Sequence, residues 1–333
     1  MSVWKRFRYR LEELGCRFLA GTIPRLSRAN CLRLAKVLGA AAWTCDGRGR
    51  EVALSNVACA LPESSDAERA RIVRGSYQNF ARTMLDLFWG QNLTRENYRD
   101  YLVLEGFEEL RVRHEQSGGG AVWLGVHHGN FEWGSLACGF YGFANTAVAE
   151  NFKNPRLSAI FSELRQVSGH TIIPQENSML RLLKAVKRGG ATEMLVDLTL
   201  HPTQAATVIE AFGMKMCVTM LHAVLAQRIG ALLVPFETEP LADGRCRVIA
   251  HEPVEWPEGA SVQEIAQRCW DRFEPIIRAR PEQWLWPYKH FRYRPEDGVA
   301  EYPAYANRSG KFEKLLREIV EGSAKVGKGR TRV

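Results

Sequence analysis

The segment Ala121-Val-Trp-Leu-Gly-Val-His-His-Gly-Asn-Phe-Glu-Trp133 concentrates the side chains most suited to chemistry. An apolar run with strand character ends at two histidines, passes a Gly-Asn turn and enters a helical pattern. His127 is thereby expected at the carboxyl edge of a sheet, and Glu132 in the first turn of the next helix, able to fold back on the imidazole. A carboxylate on one ring nitrogen fixes the tautomer and supports the imidazolium, which frees the other nitrogen to take a proton from a hydroxyl. Asn130 reads as the helix N-cap, and Gly129 as a point of close substrate approach to the backbone. None of the other seven histidines has an acid five residues on. His128 reads as a structural neighbour, since one imidazole alone can occupy the base position beside Glu132.

Elements to position these groups can be read on both sides. Short apolar runs at Tyr101–Glu105, Ala121–Val126, Thr146–Ala149, Thr171–Pro174, Thr192–Val196, Ala231–Phe236 and Arg245–His251 read as strands. Helical patterns such as Met179, Leu182, Leu183 and Val186 lie between them. The alternation predicts an α/β fold with a central, mostly parallel sheet flanked by helices, whose sites form where strands end and helices begin. Residues 1–100 read as a helical N-terminal lead-in, 101–300 as the α/β domain, and 301–333 as a helix carrying Phe312, Leu315, Leu316 and Ile319 followed by a disordered basic tail. Within the lead-in, Ser65 and Glu68 form a capping box ahead of Ile72, Phe80, Met84, Leu87 and Phe88.

The chain opens with Trp4, Phe7, Leu11, Leu14 and Phe18 at alternating spacings of three and four, with Lys5, Arg6, Arg8 and Arg10 off the stripe. That pattern suits a helix lying in the headgroup region of an anionic membrane, and equally a helix packed on its own domain. With Arg17 and the Glu12-Glu13 pair in place of an apolar core, it does not read as a signal peptide. The longest apolar stretch, Leu34–Trp43 with Lys36 inside it, is far short of the roughly 20 residues of a spanning helix. The net charge of +8 is modest over 333 residues, but its clustering at Lys5–Arg10, at Lys289, Arg292 and Arg294, and at Lys325, Lys328, Arg330 and Arg332 suits an anionic surface or an acidic partner. Eight scattered cysteines without a C-x-x-C pair point to buried thiols in a reducing compartment, not to disulfides or zinc.

Taken in order, several segments resemble the bacterial lipid A biosynthesis acyltransferases, a branch of the wider His-x4-Asp/Glu glycerolipid acyltransferase group. They are Ala40-Ala-Ala-Trp43, Asn56 before Leu61-Pro62, His127-His-Gly-Asn-Phe-Glu132, Asn154-Pro155, Arg165 to Gly169, Asp197, Phe212-Gly213, Leu225-Ala226 to Pro235, and Pro281-Glu-Gln-Trp-Leu-Trp286 into Phe291-Arg292. The resemblance implies transfer of a fatty acyl chain from acyl-acyl carrier protein to a hydroxyl of a lipid acceptor such as a lipid A precursor. It further implies His127 as general base with Glu132 as partner, Asp197 and Arg165 in the surrounding site, and no metal. Gly129, Asn130 and Lys153 are the remaining candidate substrate-binding residues; no other cofactor and no nucleic-acid partner is expected, and the expected place is the cytoplasmic face of the inner membrane, peripheral or monotopic. Two positions depart from the family pattern: Glu150, with Lys153 nearby, stands where an arginine is usual before the Asn-Pro element, and Leu198 stands where glutamine commonly follows the aspartate. They bear on which acceptor lipid is used more than on the reaction.

The reaction needs little else, because a thioester is already activated and no covalent nucleophile is required. A G-x-S-x-G elbow is missing from the sequence, which weighs against a serine hydrolase. A metal-dependent hydrolase built on His127, His128, Glu132 and Asp197 is the rival enzyme class, and a non-catalytic membrane-binding module the rival outside enzymes. Within the acyltransferase reading, another glycolipid, a phospholipid or an amino lipid could be the acceptor.

Overall fold

A computed structural model of the chain describes residues 3–143, 145–149, 152–174, 178–297 and 300–329. The chain is α/β. Five helices, α1 (Val3–Thr22), α2 (Arg28–Cys45), α3 (Gly47–Ala60), α4 (Asp66–Trp89) and the short α5 (Tyr98–Tyr101), precede the first strand. Alternation then sets in: β1 (Leu102–Glu105), α6 (Phe107–Ser117), β2 (Ala121–Gly125), α7 (Phe131–Tyr141), β3 (Asn145–Ala149), α8 (Pro155–Gln166), β4 (Thr171–Pro174), α9 (Ser178–Lys187) and β5 (Ala191–Leu195). A hairpin of β6 (Ala206–Ala211) and β7 (Met214–Thr219) follows, then α10 (Leu221–Ile229), β8 (Leu232–Pro240), β9 (Cys246–Ala250), α11 (Val262–Ala279) and α12 (Gly310–Gly329).

Seven strands form one sheet in the order β1-β9-β8-β2-β5-β3-β4, parallel at every pairing except β8 with β9. The central strand β2 is buried on both faces, as a covered parallel sheet requires. Val122 and Leu124 join one core with α3, the start of α4, α10 and α11, whereas Trp123 joins the other with the end of α4, α6, α7 and α8. Every strand expected from the sequence is present, with ends displaced by a few residues at most. Among the strands, the β6–β7 hairpin is the one that reading lacked. Phe212 and Gly213 have positive φ of 52° and 76°, as its tight turn demands. The strain at Phe212 is offset by a bond from its N–H to Glu274 (2.7 Å) and by its packing against Trp270, Trp284 and Trp286.

The capping box forms as expected, with Ser65 and Glu68 each bonding the other's backbone N–H at the start of α4. The stripe of the first helix faces away from the domain. Trp4, Phe7, Leu11, Leu14 and Phe18 are each between 51% and 72% exposed, so the stripe does not pack on the domain. The opposite edge docks instead, because the Asn154 amide donates to the Tyr9 carbonyl (2.9 Å) and to Glu12 (3.0 Å), and Arg156 pairs with Glu13 (2.5 Å). Among the described residues no helix is long and apolar enough to cross a membrane. At the other end α12 continues to Gly329, so most of the expected disordered tail is helical; Arg330 and Arg332 lie outside the described residues.

Candidate active site

β2 ends at Gly125, and the 126–130 turn that follows is fixed from three sides. From α4, Asn79 and Thr83 both donate to the Gly129 carbonyl (2.8 and 3.0 Å). From the segment after α11, Leu285 N–H donates to the His127 carbonyl (3.0 Å), while the Gly129 N–H donates to Gln283 (3.1 Å). From β8, the Thr238 hydroxyl donates to the His128 carbonyl (3.0 Å). Gly129 is at φ +62°, and a Cβ there would fall 2.1 Å from the Thr238 carbonyl. Glycine is therefore required by the approach of β8 alone, whatever else comes near this backbone.

His127 and His128 diverge. His127 remains 14% exposed at its side chain, its ring against Phe131 at 4.8 Å, and its Nδ1–H donates to Asp197 Oδ1 at 2.8 Å. Its Nε2 is then the nitrogen available to a substrate. His128 is buried, bonded through Nε2 to the Arg280 carbonyl (2.9 Å), and burial pushes its pKa down to about 4. It is a neutral structural neighbour.

Asp197, two residues beyond the end of β5, is wholly buried. Its Oδ2 accepts from the His127 N–H (2.9 Å) and from Trp284 Nε1–H (2.8 Å). Burial alone would raise its pKa, but the His127 imidazole and backbone N–H, together with His290, outweigh that and hold it at about 2. Behind it, buried His290 stacks on Trp284 at 4.0 Å and reaches the Asp197 carbonyl through Nδ1 (3.0 Å).

Glu132 sits in the first turn of α7, as expected, but it does not bond the imidazole. Arg165 of α8 grips it twice, Nε to Oε2 (3.0 Å) and Nη2 to Oε1 (2.6 Å). The expected His127–Glu132 contact is replaced by two pairs, His127 with Asp197 and Glu132 with Arg165. The physical reason is the sheet: β2 and β5 are parallel neighbours that end together, Gly125 opposite Leu195, so Asp197 arrives directly beside His127. A bidentate arginine pair satisfies Glu132 better than one imidazole N–H could.

Asn130 caps α7, its side chain accepting from Trp133 N–H (3.2 Å), and its amide donates to buried Asp86 (2.8 Å). Arg28 and Arg82 complete that buried cluster on Asp86. With both ends of its amide engaged and no exposed surface, Asn130 holds the turn instead of facing a substrate. Lys153 is exposed at the head of α8, beside Asn154, which caps that helix; Glu150 lies outside the described residues. Asn79, Thr83, Asp86, Trp284 and His290 have no role in the sequence reading, though Asp86 is a lone acid in the apolar run Leu85 to Trp89 of α4.

His127, His128, Glu132 and Asp197 thus fail to converge on one point, and no cluster of three or more metal-ligating side chains occurs among the described residues. A groove of about 800 Å³ lies elsewhere, between β6, the start of α11 and α12, and is lined by none of these site residues.

The bacterial lipid A biosynthesis acyltransferase family model matches residues 10–293. The chain belongs to this family. It is 23% identical over 272 residues to the lipid A biosynthesis lauroyltransferase of Escherichia coli K12, covering 81% of this chain and 88% of that one. It is also 23% identical over 259 residues to the myristoyltransferase of the same strain, at 76% and 78% coverage. Lipid A biosynthesis acyltransferase 2 of Shigella flexneri is 20% identical over 262 residues, at 77% and 82%. As a lipid A acyltransferase family member, the chain is an acyltransferase acting on a lipid acceptor.

Proposed function

We propose that this enzyme moves a fatty acyl chain from acyl-acyl carrier protein to a hydroxyl of a lipid A precursor at the cytoplasmic face of the inner membrane. The observation that carries the reading is the bond from His127 Nδ1–H to buried Asp197, which leaves Nε2 of this partly exposed ring as the proton acceptor. In the reaction Nε2 takes the acceptor hydroxyl's proton as that oxygen attacks the thioester carbonyl. When the tetrahedral intermediate collapses the C–S bond breaks, and the thiolate leaves with the proton returned by the imidazolium. Asp197 keeps the tautomer and stabilises the charged ring.

Glu132 acts through Arg165 in this reading. With Nε and Nη2 committed to the carboxylate, Nη1 is the donor left over in this reading, suited to an anionic group of donor or acceptor. Gly129 and Asn130 shape the turn, and Lys153 adds a cation at its rim. The outward stripe of α1, with Lys5, Arg6, Arg8 and Arg10 beside it, supports monotopic attachment to an anionic leaflet, and no step requires a metal or other cofactor.

The direct test is incubation of the purified enzyme and membranes with a mixed pool of acyl-acyl carrier proteins, followed by mass spectrometry of the lipids. Gain of one acyl mass on a lipid A precursor is the expected result. Acylation confined to phospholipid or amino lipid would replace the acceptor, and no acylated lipid at all would remove the reading.

A further inference from the structure

Two basic clusters lie on different sides of the sheet, and they differ in kind. Val122 and Trp123 of β2 point to opposite faces. On the Trp123 side, α8 packs through Ile160 and Leu164, and α1 is held on α8 by Asn154. Lys5, Arg6, Arg8 and Arg10 therefore sit there, beside an exposed apolar stripe. Residues 284–294 belong to the Val122 side, anchored by buried Trp284, Trp286 and Phe291. This segment carries Lys289, Arg292 and Arg294, all exposed, and contains no acid. Among the described residues none of the three is in an ion pair, and the segment exposes no large apolar side chain.

Two of these cations rest on anchored rings. The Lys289 ammonium lies 5.3 Å over Tyr305, and the Arg292 guanidinium 5.4 Å over Tyr288. The Tyr288 hydroxyl donates to the carbonyl of Thr199 (3.2 Å), two residues beyond Asp197, while the Tyr305 hydroxyl accepts from Phe291 N–H (3.2 Å) and bonds Asn56. Between them His290 reaches the Asp197 carbonyl (3.0 Å) and stacks on Trp284, which itself donates to the Asp197 carboxylate. The cluster is thus tied directly to the residue that holds His127.

We infer, resting on the acyl-transfer reading above, that Lys289, Arg292 and Arg294 form the docking surface for the acyl carrier protein, and that carrier and membrane-borne lipid approach His127 from different sides of the sheet. A leaflet takes cations together with apolar anchors, which α1 supplies and this segment lacks. A soluble, strongly acidic carrier needs uncompensated positive charge at the rim of the site, which speeds and orients the encounter. Lys289, Arg292 and Arg294 meet that requirement, whereas on α1 Arg8 is paired with Glu12 (3.3 Å).

The test uses the full chain. Affinity for lauroyl-acyl carrier protein and co-sedimentation with vesicles of phosphatidylglycerol and phosphatidylcholine are measured for the parent, for Lys289→Glu/Arg292→Glu/Arg294→Glu, and for Lys5→Glu/Arg6→Glu/Arg10→Glu. The first variant should bind the carrier at least roughly tenfold more weakly, the scale of three reversed surface charge contacts, and keep the parent's vesicle binding. The second should do the opposite. Carbodiimide coupling of carrier carboxylates to lysines of the parent, which needs no variant, should mark Lys289 in the mapped peptides. Equal carrier affinity in the parent and a folded first variant, coupling that spares Lys289, or a parent that binds no carrier would each overturn the inference. Loss of vesicle binding by the first variant with its carrier binding intact would overturn it as well, giving the segment to the membrane. A parent that binds the carrier at Lys289 yet acylates no lipid would support the docking surface and sink the acyl-transfer reading.

Discussion

Replacing Asp197 with asparagine should disable the site through the tautomer of His127, with the shape of the turn nearly unchanged. Oδ2 receives two donors, the His127 N–H and Trp284 Nε1–H, whereas Oδ1 receives only the imidazole Nδ1–H. An asparagine has one acceptor oxygen, which takes the seat facing two donors. Its NH2 then faces Nδ1, forces that nitrogen to accept, and moves the ring proton to Nε2, where a base needs a lone pair. Loss of turnover by about 10³ to 10⁴ is expected, the scale of a wrong tautomer in a comparable carboxylate–histidine pair. Stability should fall too. The folded pKa of about 2 against an ordinary 3.8 corresponds to about 2 kcal/mol. Because the folded pKa is depressed, that contribution is present above pH 4 and lost as pH falls toward 2, so the variant should be weaker at neutral pH and less acid-sensitive in this range. Single-turnover acyl transfer, thermal melts against pH and nitrogen-15 NMR of the histidine rings measure the three effects. Turnover within about threefold of the parent, or a His127 still protonated on Nδ1, would refute the reasoning.

Glu132→Gln should lower turnover by about 10²-fold while leaving the Nδ1–H tautomer of His127 intact; an altered tautomer would return Glu132 to the imidazole. His128→Ala should keep measurable transfer, down about tenfold, and lose about 1–2 kcal/mol of stability with its bond to Arg280; complete loss of transfer in a well-folded variant would give His128 a chemical role. Removing residues 1–20 should move the protein from anionic vesicles to the supernatant in co-sedimentation, since each cation near the surface contributes about 1 kcal/mol beside the apolar stripe; undiminished binding would place the attachment on another surface. Burial holds His128 and His222 near pKa 4, so the unfolded chain binds their protons first and stability should fall as pH drops from about 6.5 to 4, by up to about 3 kcal/mol for each. Thermal melts that stay flat over that interval would show that these rings are solvated.

The fold was legible where periodicity was strong. The apolar strand Ala121–Gly125 and the Ser65–Glu68 cap appear where their residue types require. The hairpin at 206–219 was missed because its turn, Phe212-Gly213, places a bulky residue at positive φ, a choice that only the tryptophans packed around it make tolerable. In the site, His127 and the helix bearing Glu132 were readable from one contiguous segment. Their pairing was not, because Asp197 and Arg165 lie 70 and 33 positions from His127 and Glu132 along the chain and meet them through strand neighbours and helix packing. Local spacing placed Glu132 within reach of the ring; the parallel register of β2 and β5 gave that seat to Asp197.

The central claim is that the Nε2 atom of His127 removes the acceptor's proton. Single-turnover transfer from lauroyl-acyl carrier protein to a lipid A precursor, in the parent and in His127→Ala, tests it most directly. The expected result is formation of the acylated lipid by the parent alone, with the variant still folded and melting within a few degrees of the parent, since a partly exposed ring at a strand end contributes little packing. Transfer by the folded variant at a rate close to the parent's would contradict the account.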